Sequence, residues 1–246
     1  MKRFAPVAIA AALVLLLLLS ACSEIKYTVP EKFEDGDQLL MPSEGELIAI
    51  FDTSMGEMRV RLFPAQAPKA VENFRKLAER GYYNGITFHR VVSDFIVQSG
   101  DPTGTGSGGV SVWGKGFADE FDTGLYHYYG ALSYARASKA ESGEKNMSQF
   151  FFVTKNDKYY DVDKNQLLKR GYSEAAADGY LKARGDYSLD ALYNRYDEDE
   201  SYVVFGQLYE GFEVLSAIDA VETSDQKPVA DVLLNSVTIT TYSKEG

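Results

Sequence analysis

The chain has 246 residues, 45% of them hydrophobic, with a formal net charge of -11. That is enough apolar material for one domain with a buried core, and the charge is opposite to the basic stripe that nucleic-acid phosphates or anionic headgroups attract. One cysteine, Cys22, and two histidines, His89 and His127, exclude an internal disulfide and a thiolate zinc cage.

Lys2 and Arg3 begin the chain, an apolar run covers 4–19, and the small residues Ser20 and Ala21 precede Cys22. This order predicts a signal peptide over 1–21. The run is short for a span of ~20 residues, and its small-residue end favours cleavage over a transmembrane anchor. Leu19-Ser20-Ala21-Cys22 resembles the lipobox of bacterial lipoproteins, whose cysteine is diacylated on sulfur and becomes the first mature residue. The resemblance implies a lipidated Cys22, a place outside the cytoplasm, and membrane contact through the anchor alone. Two acyl chains meet the requirement for stable anchoring. Residues 22–45 are polar, carry Pro30 and Pro42, and are expected to form a tether to a domain over 46–246.

Residues 47–51 and 57–63 read as strands of a hairpin around a turn at 53–56. Pro68 opens a helix whose apolar positions are Ala70, Val71, Phe74, Leu77 and Ala78, and Gly81 stops it. Asn84-Gly85 marks a turn, and 87–92 and 95–99 read as strands. The glycine-rich stretch 100–109 lacks the Gly-Lys-Ser/Thr ending of a phosphate-binding loop and reads as a tight structural loop. Trp113 reads as core. Further strands fall at 131–135, 149–153, 202–206 and 232–241, and Phe212, Val214, Leu215 and Ile218 predict a second helix. Many short strands with two helices favour a mainly β barrel or sandwich.

Five segments carry a specific resemblance to the cyclophilin family. They are Phe88-His89-Arg90-Val91-Val92, Phe95-Ile96-Val97-Gln98-Ser99-Gly100-Asp101, Gly130-Ala131-Leu132-Ser133-Tyr134-Ala135-Arg136, Ser148-Gln149-Phe150-Phe151-Phe152 and Val203-Val204-Phe205-Gly206. The resemblance implies a closed eight-stranded antiparallel β-barrel capped by two helices, with a proline-binding groove on its outer face. It implies peptidyl-prolyl cis–trans isomerisation of extended X-Pro segments, here in exported proteins, by a monomer using no cofactor and no metal. Position by position, Arg90 resembles the catalytic arginine, assisted by Phe95 and Gln98. Ile96 and Phe151, with Phe95, resemble the proline pocket. Gln149 resembles a polar flank, and Ala135 and the backbone at Arg136 resemble the groove wall that keeps the substrate extended. The reaction breaks no covalent bond, so the lack of an evident triad or acid–base pair is expected. A proline-binding module without turnover is the alternative on the same fold.

Three features depart from the family pattern. Tyr202 stands where many cyclophilins have a histidine, and it still offers a flat wall and a hydroxyl. The family's Trp-Leu-Asp-Gly stretch is missing, with Ser188-Leu189-Asp190 as a remnant. An insertion covers about 156–201. Ser173 is expected to cap one helix, through Ala175, Ala176, Tyr180, Leu181 and Ala183 to Gly185, and Ser188 another through Leu189, Leu192 and Tyr193. The acidic run 197–200 reads as solvated. The insertion reads as a lid, a client-docking site or a surface excursion. His89 is expected to make a structural hydrogen bond and His127 to have no catalytic part.

Overall fold

The computed structural model describes residues 25–30, 32–121, 124–136, 145–155, 162–194 and 201–244. The signal peptide, Cys22 and the acidic run 197–200 lie outside the described residues. Among those described, no helix is long and apolar enough to cross a membrane.

The first hairpin forms as expected. β1 (Leu47–Thr53) pairs antiparallel with β2 (Gly56–Leu62), and the Thr53 hydroxyl donates to the Gly56 carbonyl at 2.6 Å across the turn. α1 (Pro68–Glu79) follows with Pro68 in its first turn. Its N-cap, Ala67, has no side-chain acceptor; the Glu120 carboxylate takes the free Lys69 and Ala70 N–H groups at 3.1 and 3.0 Å instead. Phe74 on this helix plugs one end of the barrel, within 5.7 Å of the Phe51, Phe150, Tyr83 and Phe205 ring centroids.

The predicted strand 87–92 is two strands, β3 (Ile86–Thr87) and β4 (Arg90–Val92). Between them Phe88 turns into the core and donates its N–H to the Val232 carbonyl. β5 (Ile96–Ser99), β6 (Ala131–Arg136), β7 (Asn146–Val153), β8 (Val204–Glu210), the short hairpin β9 (Thr223–Ser224) and β10 (Lys227–Pro228), and β11 (Leu233–Thr241) complete the β structure. The main sheet runs β3-β11-β1-β2-β8-β6-β7-β5-β4. It therefore has nine described strands rather than eight. Among the described residues no ladder joins its edges, β3 and β4, so the sheet curls round without closing into the barrel expected. The helix predicted at Phe212 is present as α4 (Phe212–Asp219), packed on β2. The fold is the mainly β, helix-capped architecture expected.

The insertion differs most from its sequence reading. It contains α2 (Lys164–Arg170) and α3 (Glu174–Ala183). Ser173 caps α3, accepting the Ala176 N–H at 3.1 Å, as predicted. α2 was not anticipated, although Asp163 accepting from Gln166 N and Gly171 at the C-cap are ordinary boundary signals. Ser188 caps nothing; Asp186 accepts its N–H and opens only a three-residue 3-10 turn, Tyr187–Leu189. The helices bury Leu167, Tyr172, Ala176, Ala177 and Tyr180 against Tyr126 and Tyr128 in a second core. This is a packed unit, not a loose excursion.

The segment expected as a tether is also docked over much of its described length. Gln38 is buried, donates to the Tyr126 carbonyl and the Gln207 side chain, and accepts the Tyr126 N–H. Arg61 donates to the Asp37 carbonyl and to buried Glu46, both at 2.8 Å. Polarity made the segment look free, but one polar side chain, Gln38, is spent on buried partners. Trp113, expected in the core, is 41% exposed and touches Phe117 edge-on.

Candidate active site

Arg90 opens β4 and lies opposite Gln98 of β5 in the ladder. Its Nη1 donates to Gln98 Oε1 at 3.3 Å and its Nε to Gln226 Oε1 at 2.8 Å. Gln98 Nε2 donates to Gln149 Oε1 at 2.8 Å, and Gln149 Nε2 donates to the Gly106 and Gly108 carbonyls at 3.0 and 2.6 Å. A guanidinium at one end and the glycine-rich loop at the other are thus joined by two amides, each with its orientation fixed by its neighbours.

Beside this polar chain lies a cavity of about 680 Å³. Phe95, Ile96, Ala135, Phe151, Leu189 and Tyr202 supply its apolar side. Arg90, Gln98 and Arg136 also line it, so eight of the nine predicted groove residues meet here, and the ninth, Gln149, accepts a hydrogen bond from the Gln98 amide. Phe151 is both wall and core, 2% exposed and packed with Ile96, Val204 and Leu189. Tyr202 stands edge-on to Phe151, with centroids 5.3 Å apart. Arg136 turns its guanidinium away to Asp119 Oδ2 (2.8 Å) and the Ser201 carbonyl (3.0 Å). That pose suits the expectation that its backbone, rather than its charge, meets a substrate.

His89 lines the same cavity, and among the described residues neither ring nitrogen makes a well-formed hydrogen bond. Burial pushes its pKa below the ordinary value, so at pH 7 it adds no second positive charge beside Arg90.

Two contributors escaped the sequence reading. Gln226, which orients Arg90, sits with Asp225 in the β9–β10 turn, where both have positive φ (68° and 49°). Such a turn usually announces itself by Asn-Gly or Asp-Gly; Asp-Gln gives no such signal. Leu189, read as part of a remnant and of a short helix rather than as a groove residue, lines the cavity beside Tyr202.

The glycine-rich loop is more than a connector, because Gly104, Thr105 and Gly106 line the cavity. Asp101 sets its shape. This buried carboxylate accepts from Thr103 N and Oγ1 (2.8 Å each), Gly106 N (2.7 Å) and Gly108 N (3.1 Å). Burial alone would raise its pKa; the bonds from Thr103, Gly108 and Gly106 outweigh that and hold it at about 2. A group depressed on folding stabilises above its unfolded value, near 4, and that gain is lost as pH falls through the folded value. Urea unfolding should therefore show about 2 kcal/mol lost between roughly pH 4 and pH 2 through this group. Asp101→Asn should flatten that part of the profile; an unchanged slope would remove Asp101 from this role.

The model of the cyclophilin type peptidyl-prolyl cis-trans isomerases matches residues 48–239. A protein of Staphylococcus saprophyticus is 41% identical over 195 residues, covering 79% of this chain and 92% of its own length. One from Staphylococcus haemolyticus is 40% identical over 197 residues, covering 80% and 92%. Both carry names that assign them to the peptidyl-prolyl cis-trans isomerases. A Cryptosporidium parvum cyclophilin type peptidyl-prolyl cis-trans isomerase, crystallised in the presence of the dipeptide Ala-Pro, matches with a TM-score of 0.59 at 32% identity, covering 80% of this chain and 99% of that one. On the family match, the relatives and the shared fold, this chain belongs to the cyclophilin-type peptidyl-prolyl cis–trans isomerases.

Proposed function

We propose that the chain isomerises X-Pro bonds in proteins that fold after export, from a lipid-anchored position outside the cytoplasm. One observation carries the catalytic part: a guanidinium held by Gln98 and Gln226 beside the apolar side of a cavity large enough for a proline ring and its neighbours. An X-Pro amide rotates over ~18–20 kcal/mol because its nitrogen lone pair is conjugated with the carbonyl. Rotation breaks that conjugation and leaves the lone pair free to accept a hydrogen bond. Arg90 can donate to it there and finds no such acceptor in the planar ground state. Phe95, Ile96 and Phe151 grip the ring and keep water from the donor, which strengthens the bond. No proton has to leave the protein, and neutral His89 fits that economy.

A protease-coupled assay on the purified domain tests this reading. A proline peptide should isomerise faster with added protein, and an unchanged uncatalysed rate would refute it.

The cellular part rests on Leu19-Ser20-Ala21-Cys22 and the apolar run before it. In a bacterial host, the wild type should take up labelled fatty acid and sediment with membranes, and Cys22→Ser should do neither. Equal labelling of both forms would exclude a lipid on Cys22.

A further inference from the structure

Tyr202, before β8, and Leu189, in the insertion, form the far wall of the cavity, and the His127 ring lies behind Phe151. Asp190, which follows Leu189, ties the His127 loop to the insertion. Its Oδ1 accepts the His127 backbone N–H at 3.0 Å and lies 2.7 Å from His127 Nδ1. Its Oδ2 accepts the Tyr180 and Tyr172 hydroxyls at 2.5 and 2.7 Å. A carboxylate only accepts, so Nδ1 carries the imidazole proton. The His127 ring then lies 13° from parallel to Phe151, at 6.2 Å between centroids, and edge-on to Tyr202 at 6.4 Å. Leu189, the preceding residue, packs with Ile96 and Phe151, and its carbonyl accepts the Tyr202 N–H at 3.1 Å.

We propose that Asp190 is a positioning residue for the proline pocket, the point through which the insertion holds the far wall opposite Arg90. Stability alone is a weak reason for a carboxylate that is 3% exposed, since an apolar side chain of similar volume avoids its desolvation. What the carboxylate adds is direction. Four donors converge on its two oxygens in one arrangement, and that arrangement fixes a histidine ring against a pocket wall and a leucine beside it. Two of the donors, Tyr172 and Tyr180, belong to the insertion, so the inserted core is wired to the groove rather than lying over it as a lid.

The proposal rests on the isomerase reading, and two readouts separate their failures. The first needs no substrate. With only His89 and His127 in the chain, imidazole ¹⁵N spectra resolve each ring, and His127 should show a protonated Nδ1 that Asp190→Leu, which leaves no acceptor there, loses. The second is kinetic. Asp190→Asn, and more mildly Tyr180→Phe, should raise KM and the peptide Kd about tenfold and about threefold, with kcat within about threefold of wild type, since Arg90 and its glutamines are untouched. Should Asp190→Asn fail to fold, Tyr180→Phe and Tyr172→Phe carry the test, each losing one hydroxyl. Unchanged KM and Kd in folded variants overturn the proposal while leaving the isomerase reading intact. A wild type that binds no proline peptide overturns both.

Discussion

Arg90→Ala should lower kcat for X-Pro isomerisation by about 10²–10³ while the Kd for a proline peptide changes far less. Losing one donor aimed at a transition-state lone pair costs rate on that scale at comparable sites. The ring is gripped by Phe95, Ile96 and Phe151, none of which depends on Arg90 for its place, so ground-state binding survives. Arg90→Lys should recover little. The native guanidinium makes two side-chain bonds in different directions, from Nε to Gln226 and from Nη1 to Gln98, and keeps a further edge for the substrate. An ammonium on a flexible stem reproduces neither the fork nor its orientation. Turnover by Arg90→Ala at the wild-type rate sinks the mechanism; a wild type that binds proline peptides without turning them over favours the binding module instead.

The groove was legible because strand alternation and family-like segments fall on the same residues. Arg90, Phe95, Ile96, Gln98, Gln149 and Phe151 lie on or beside three strands that pair in register, Gln98 opposite both Arg90 and Phe151. Once those strands are recognised, their side chains can only converge. The residues that escaped recognition are held by long-range contacts with no local signature. Gln226 reaches Arg90 across 136 positions, and Asp190 reaches His127 across 63. His127 looked idle because its loop has no periodicity to read.

Polarity misled in a consistent direction. Residues 25–45 were read as a tether, and the insertion as a lid, a docking site or a surface excursion. Gln38 of the first segment and Tyr172 and Tyr180 of the second are instead buried, the two tyrosines against Tyr126 and Tyr128 of the His127 loop. Tyrosine combines a large apolar ring with one hydroxyl, so it can build a core wherever that hydroxyl finds an acceptor. Here Asp190 and the Ala176 carbonyl provide acceptors for Tyr172, Tyr180 and Tyr128. A sequence shows the donors in such a core but not whether they meet.

Gly185→Ala should cost about 4 kcal/mol or more in unfolding free energy, among the large effects a single backbone clash produces. Gly185 is where the insertion bridges to the barrel, through an isolated antiparallel pairing with Tyr128, and its N–H donates to the Lys155 carbonyl at 3.0 Å. Its φ is +117°, and an added Cβ would lie 2.2 Å from the His127 carbonyl oxygen and 2.5 Å from Tyr128 Cα. Both obstacles are backbone and cannot swing aside. Gly85→Ala is the matched control: its φ is +73° and nothing lies within 4 Å of the added carbon, so only the left-handed conformation is penalised, by about 1–2 kcal/mol. The difference between the two substitutions, read from urea midpoints at equal m-values, isolates the docking contact. The main core around Phe51 and Phe74 shares no residue with the tyrosine core, so Gly185→Ala should weaken peptide binding while leaving the packing of the barrel core intact. If it costs no more than Gly85→Ala and leaves the peptide Kd unchanged, the insertion is not seated against the His127 loop, and the far wall of the groove is held by something else.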